Sequence, residues 1–301
     1  MYYYSFNRYL REKYGEPVRK ICLNPGFACP NRDGALSRDG CVFCNEKGFS
    51  RNAGTLKSLE EQIEDAVGSG NAKRGQKYIA YFQNAAGTNA SPEELQKAYD
   101  IIRNYPEIIM LTISTRPDCV DDGKLDLISD YAEDYEVWIE YGVQTANDAV
   151  LERMKRNHSF EQAEDAILRT VKKGIKAGAH IMLGLPGESR EDMALTARRL
   201  AKLPVSGIKL HVLHVLKDTA LEEMYRQGKV DLLTQNEYAR AACDFLEYMD
   251  PECVVLRLVS DAHPDFLVAP MWINDKNSVI ADINKEFLIR GTHQGSRRVG
   301  G

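Results

Sequence analysis

The chain lacks any apolar run long enough to cross a membrane, so no spanning helix is expected. Its start, MYYYSFNRYLREKYG, has no hydrophobic stretch resembling a signal peptide, which predicts a cytoplasmic protein. There is no internal repeat, no low-complexity block and no flexible linker. A large excess of one charge is also missing: 39 basic residues stand against 44 acidic ones, a net charge of −5. That balance argues against non-specific binding of polyanions. Seven cysteines cannot all pair, so a disulfide framework is not expected, and the thiols read as ligands or buried groups.

What is present fits a soluble globular chain: 44% hydrophobic and 28% charged residues. A length of 301 residues allows one large α/β domain or two smaller ones. Short, nearly continuous apolar runs predict strands near Arg19–Leu23, Tyr78–Gln83, Ile108–Ser114, Glu136–Val143, Ala179–Leu185 and Gly207–Leu213. Between them lie helix starts. Ser58–Glu61, Ser91–Glu94, Ser159–Gln162 and Thr234–Glu237 each fit a capping box, in which two side chains satisfy free backbone N–H groups. Ser189, followed by Glu191 and Asp192, marks another. Six strand–helix alternations imply right-handed crossovers and a parallel sheet curled into a partial or full barrel. Active sites on such sheets lie beyond the C-terminal strand ends, and the unusual polar residues here cluster just after the strands.

The loop after the first strand, FACPNRDGALSRDGCVFCN, carries Cys29, Cys41 and Cys44. Glycines at 26, 34 and 40 let its backbone wrap a bulky centre. Three thiolates with a fourth position open suit a reactive metal centre, whereas a structural site closes with four ligands. Zinc would need another donor. Cys22 is the nearby thiol, and within a strand it reads as a small buried hydrophobe. A zinc knuckle remains the structural alternative.

Cys41-Val-Phe-Cys44 resembles the end of the cluster loop of radical S-adenosylmethionine (radical SAM) enzymes. The eleven residues between Cys29 and Cys41 depart from the commoner C-x3-C-x2-C spacing and resemble the YhcC/YtqA-type subfamily, related to the Elongator catalytic subunit. GFACPNRDG, YIAYFQ, STRPDC, IEYGVQTA, HIMLGLPGE, GIKLHVLHVLKDT and RGTHQGS carry that resemblance through nearly the whole chain. It implies an α/β fold: a partial (β/α)6 TIM-like barrel over residues 1–217, with a cluster loop at 24–50. Residues 218–301 would form a C-terminal α/β extension packed on it as one continuous unit.

By that resemblance, Cys29, Cys41 and Cys44 hold a [4Fe–4S] cluster whose free iron chelates S-adenosylmethionine. One electron then splits the carbon–sulfur bond to give methionine and a 5′-deoxyadenosyl radical, while the protein orients and secludes the cofactor. Phe43 is set beside the cofactor. Gln83 and Asn84 fall where the amino group is held, although Ala85-Ala86-Gly87 replaces the larger residues usual there. Gln144 is assigned to the ribose, Glu140 to its neighbourhood, and Arg156 to the carboxylate, where an Arg fork is bidentate and selective. Alternatively, Glu140 forms a barrel-interior ion pair and Arg156 is an exposed helix charge. Gly184-Leu-Pro186-Gly187 reads as a rigid turn letting backbone approach adenine, or simply as a turn.

On the substrate side stand Cys119, His214 and Lys217, with Arg116 and Asp118 nearby. Cys119 either donates a hydrogen atom or packs, with packing favoured. His158 fits a capping position equally well. His211 and His214 would face opposite sides of a strand, so a shared metal is not expected, and one of the two reads as core.

The resemblance implies hydrogen abstraction in modification of the tRNA wobble-uridine side chain, with a flavodoxin- or ferredoxin-type electron donor. No membrane or DNA partner is expected. Basic residues near the end (Lys285, Arg290, Arg297 and Arg298) suit either phosphate contact or a solvated tail. Two other readings are a radical SAM enzyme on a small metabolite and a non-catalytic, zinc-stabilised RNA-binding protein. No cysteine cluster follows residue 253, so no auxiliary Fe–S site is expected. A Rossmann methyltransferase glycine fingerprint is also missing, which weighs against ordinary polar methyl transfer.

Overall fold

The short apolar runs become parallel strands because all but the edge strand of the first run are covered on both faces. In a computed structural model that describes residues 1–45, 57–68, 75–260 and 262–298, the chain opens with α1 (Phe6–Tyr14) and β1 (Val18–Leu23). Then follow α2 (Leu59–Gly68), β2 (Lys77–Phe82), α3 (Pro92–Asp100), β3 (Ile108–Thr115), α4 (Asp122–Ser129) and β4 (Glu136–Gln144). The alternation continues through α5 (Asp148–Arg153), α6 (Phe160–Lys172), β5 (Lys176–Leu183), α7 (Arg190–Leu200) and β6 (Gly207–Val212). The remainder is β7 (Val215–Leu216), α8 (Ala220–Arg226), α9 (Gln235–Leu246), β8 (Val254–Arg257), β9 (Leu267–Ala269) and α10 (Lys276–Arg290).

Strands β1 to β6 pair in sequence order and β8 adds to β6, giving a seven-stranded parallel sheet. It curls into a TIM-like partial barrel that is open between β1 and β8. The helix starts lie where the capping pattern puts them. Ser91, Ser159 and Thr234 make reciprocal bonds with Glu94, Gln162 and Glu237, and Ser58 does so with Glu61. Ser189 pairs in the same way with Asp192.

The seventh strand corrects the count of six. Val254–Arg257 is too short to stand out as a strand, and neighbouring β6 is what recruits it. A second sheet, antiparallel β7–β9, was also not foreseen. β5 starts at Lys176, earlier than expected, because Ala177, Gly178 and Ala179 are small residues of weak strand character. Residues 46–50 of the predicted cluster loop lie outside the described residues.

Three apolar layers surround the barrel. The largest lies between sheet and helices. A second plugs the bottom, where Tyr9 and Leu10 of α1 pack on Ile79, Met110, Trp138 and Val254. A third caps the top and joins Cys41, Val42 and Phe43 to Met154, Met182, Leu185 and Leu213.

The basic C-terminal residues are largely engaged inside the protein. Arg290 bonds Asp244 and Glu247, Arg297 lies 2.8 Å from Glu247, and Arg298 pairs with Asp250. Phosphate contact from these three arginines is therefore not supported. Among the described residues, no helix is long and apolar enough to cross a membrane.

Candidate active site

The cysteine loop is fixed from two sides. Within it, Arg32 and Asp33 donate backbone N–H groups to Cys29 O at 2.7 and 3.0 Å, and Cys44 N donates to Cys41 O at 3.0 Å. Gly40 has φ +76°, and a Cβ there would lie 2.7 Å from Arg32 Cζ, so only glycine fits beside that side chain. Arg32 Nη2 in turn donates to Cys44 O at 2.5 Å. Outside the loop, Val42 N donates to Met154 O and Leu221 N to Val42 O, tying the loop to the ends of α5 and α8. Fully buried Asn31 bonds Lys155 O at 2.9 Å and places Nδ2 3.2 Å from Cys41 Sγ.

Cys29, Cys41 and Cys44 all line one cavity of about 230 Å³ at the C-terminal strand ends. Among the described residues, no three His, Cys, Asp or Glu side chains are grouped to hold a single metal ion. A tetrahedral zinc with bonds of about 2.3 Å needs its sulfurs within about 4 Å of one another. A cubane places each thiolate on a different iron and so accepts a wider trio.

Two arginines face these sulfurs. Arg156 Nη1 is 3.3 Å from Cys41 Sγ, and its Nη2 donates to Gly142 O at 2.8 Å. Arg116 forms a bidentate pair with Asp118, both bonds 2.9 Å, and donates to Arg156 O at 2.6 Å. Each keeps one buried nitrogen without a partner, Arg156 Nε and Arg116 Nη1. Buried polar atoms are normally bonded, so these two await an acceptor that the described residues do not supply. Burial pushes the Cys41 thiol up, but Arg156, Asn31 and Arg116 outweigh it and hold the thiol below its ordinary range. Burial raises Cys29, and burial with the neighbouring Cys41 charge pushes Cys44 up to about 11. Three thiols, one activated by cations with free donors, form a donor set that fits a three-cysteine cluster and an anionic chelating ligand.

The other site residues divide by position. Phe43, Gln83, Asn84, Gln144, Arg156 and His214 line the cavity. Gln144 has φ +71° at a register shift that ends β4, strain of the kind concentrated at functional sites. His214 is buried, with Nδ1 3.1 Å from Val212 O. His211 lines the cavity as well, because the chain leaves β6 after Val212 and the strand alternation no longer separates the two rings.

Lys217 is exposed and off the cavity; its backbone N–H bonds Phe266 O at 2.8 Å. Cys119 is also off the cavity, buried in the turn after β3, and burial pushes its thiol up to about 12. Pro186 and Gly187 hold Arg153: Pro186 O accepts from its Nη1 at 2.6 Å, and a Cβ on Gly187 would overlap that guanidinium. His158 is buried beside Arg156 and Arg116; burial and those charges lower it to about 3, so it stays neutral.

Glu140 lies beneath the cavity in an interior ion pair. Its Oε2 accepts from Lys209 Nζ at 2.7 Å, His180 Nε2 at 2.5 Å and Tyr81 OH at 2.9 Å. Burial opposes its charge, but Lys209, His180 and Lys20 hold the carboxyl well below the usual range.

Sequence reading missed Asn31, Arg32, Tyr81, His180, Lys209 and Arg257. A signal existed for two of the strands. His180/Met182 and Lys209/His211 have the same two-residue spacing as Glu140/Gly142, which marks inward positions. Arg257 had none, because its strand was not recognisable.

The profile of the Radical SAM superfamily matches residues 23–200, and that of the Radical SAM C-terminal domain matches residues 205–288. The chain is 37% identical over 295 residues to the uncharacterized protein YtqA of Bacillus subtilis, covering 97% of this chain and 92% of that one. It is 25% identical over 162 residues to a tRNA uridine(34) acetyltransferase of Dehalococcoides mccartyi, covering 53% of this chain and 35% of that protein. In fold it is similar to an archaeal Methanocaldococcus infernus Elp3 lacking its N-terminus, with a TM-score of 0.64 at 17% identity over 92% of this chain and 64% of that one. The chain belongs to the Radical SAM superfamily and is an enzyme of that class, whose cofactors are a [4Fe–4S] cluster and S-adenosylmethionine.

Proposed function

We propose that Cys29, Cys41 and Cys44 hold the cluster and that the cavity between them and the strand tips receives S-adenosylmethionine and the reacting part of a tRNA wobble uridine. The observation that carries the cofactor half is Arg156. Its guanidinium touches Cys41 Sγ and keeps an unpartnered Nε, so one side chain can balance thiolate charge and grip the ligand carboxylate. Once bound, the cluster and S-adenosylmethionine supply one-electron cleavage and hydrogen abstraction. This chain's own residues do the rest. Gln83 and Asn84 meet the amino group, Gln144 the ribose, and Phe43 with Met182 and Leu213 keep water from the reacting atoms. His214 faces the substrate. Cys119, with a thiol off the cavity, acts in packing.

The tRNA half is supported by the relative named a tRNA uridine(34) acetyltransferase and by the likeness to Elp3. A wobble-uridine substrate is the class that fits those relatives, with a flavodoxin- or ferredoxin-type protein as electron donor.

The test is anaerobic reconstitution with iron and sulfide, then incubation with S-adenosylmethionine and dithionite. Wild type should form 5′-deoxyadenosine, and Cys29→Ala, Cys41→Ala and Cys44→Ala should each abolish it. Protein that binds zinc there and ignores S-adenosylmethionine would overturn the reading. Adding tRNA from a strain lacking the gene should change one wobble nucleoside; unchanged nucleosides from an active enzyme would sink the tRNA half alone.

A further inference from the structure

The inner floor of the cavity has more positive charge than the described acidic residues balance. Lys209 of β6 and Arg257 of β8 line it with His180 and His211, and among the described residues no Asp or Glu lines it. Beneath, Glu140 is already bonded by Lys209, His180 and Tyr81. Lys20 adds a further cation to the same group, its Nζ 4.3 Å from the Tyr81 ring centre.

The Arg257 side chain makes no hydrogen bond or ion pair among the described residues, while its backbone belongs to the β6–β8 ladder. Its charge nevertheless acts on Lys209, His180 and His211. His211 Nε2 is buried without a partner, and its ring lies 5.6 Å from that of His180. An unpaired cation beside an unpartnered ring nitrogen, in a cavity lined by no acid, is an arrangement completed by an anion from outside.

We propose that this floor is a subsite for an organic carboxylate carried by the substrate, with the Arg257 guanidinium as its bidentate partner and His211 Nε2–H as a further donor. This deepens the function proposed above and rests on it, since the substrate must enter the same cavity. A carboxylate fits better than a phosphate. Lys209 is committed to Glu140, which leaves one unpaired guanidinium for one negative charge, and the Arg fork matches the two carboxylate oxygens.

Propionate, its neutral isostere propionamide, and inorganic phosphate are titrated into the reconstituted protein with saturating S-adenosylmethionine, followed by ligand-observed NMR. Propionate should bind saturably and propionamide should not. Arg257→Gln should weaken propionate at least tenfold, and Arg257→Lys, which keeps the charge but not the fork, by less. Equal binding of propionate by wild type and Arg257→Gln, or of propionamide by wild type, would overturn the subsite. Phosphate preferred over propionate would overturn the carboxylate assignment. Repeating the propionate titration on cluster-free Cys41→Ala protein separates the two proposals. The floor does not include the cysteines, so binding there persists whether or not 5′-deoxyadenosine is ever formed.

Discussion

The first and the middle residue of β4 are glutamates buried in opposite circumstances. At the N-terminal end, Glu136 has a side chain only 6% exposed and is bonded to capacity. Tyr14 OH lies 2.6 Å away, Trp138 Nε1 2.5 Å, Lys13 Nζ 2.5 Å and Lys176 Nζ 3.2 Å, and Tyr9 donates as well. Glu140, at the middle of the strand just beneath the cavity, is also bonded, but around and above it the Arg257 side chain, His211 Nε2, Arg156 Nε and Arg116 Nη1 have no partner among the described residues. The bottom of the barrel is closed upon itself. The top is complete only with ligands, as expected where active sites lie at the C-terminal strand ends.

Exchanging the damage between the two ends gives the strongest test of that contrast. Arg156→Gln should lower 5′-deoxyadenosine formation by about ten- to hundredfold, the worth of a charge-assisted bond, while thermal stability barely changes. Glu136→Gln should do the reverse: lose about 3 kcal/mol of stability in urea titrations and leave the cleavage rate per folded molecule unchanged. Matching effects of the two variants on both measurements would erase the distinction.

Acid titration sharpens it further. Burial raises the Glu136 pKa, but its bonds to Lys13, Tyr14, Tyr9 and Trp138 outweigh burial and lower it to about 2 from 4.5. The folded-state value is below the unfolded one, so the associated stability is complete above pH 4.5 and is lost as pH falls toward 2. At about 1.4 kcal/mol per unit this amounts to about 3 kcal/mol. The stability gap between wild type and Glu136→Gln should therefore narrow over that window. A gap that stays constant would show that hydrogen bonding and not charge sets it.

Two glycines supply the smallest effects. A Cβ on Gly207, at the bottom, would lie 2.7 Å from Trp138 Cζ3 and 2.9 Å from Leu256 Cδ1, so Gly207→Ala should cost about 1–3 kcal/mol by overpacking. On Gly142, at the top, it would lie 3.0 Å from Arg156 Nη2 and from Gln144 Nε2, ends of long side chains that can move. Gly142→Ala should weaken S-adenosylmethionine binding severalfold, read by titration calorimetry, with little change in stability.

Much of this was legible in the chain. Apolar runs and capping residues located six strands and five helix starts, because those signals are local and repeat along the sequence. Phe43, Gln83, Asn84, Gln144, Arg156 and His214 line the same cavity as the three cysteines. Other positions were not legible. Pro186 and Gly187 turned to Arg153 because a side chain from α5 occupies the space beside them, and Lys217 points to solvent because the short β7 redirects the chain after His214.

The sequence by itself determined the alternation of strands and helices and the spacing of three thiols, since both depend on residues close together in the chain. Only the tertiary structure decided which charges are neutralised. Glu140 meets Lys209 from two strands away, Arg297 and Arg298 turn to acids of the α9 region, and Arg257 faces the cavity. Whether a charged group has a partner depends on what the fold brings within a few ångströms of it, and no local pattern encodes that.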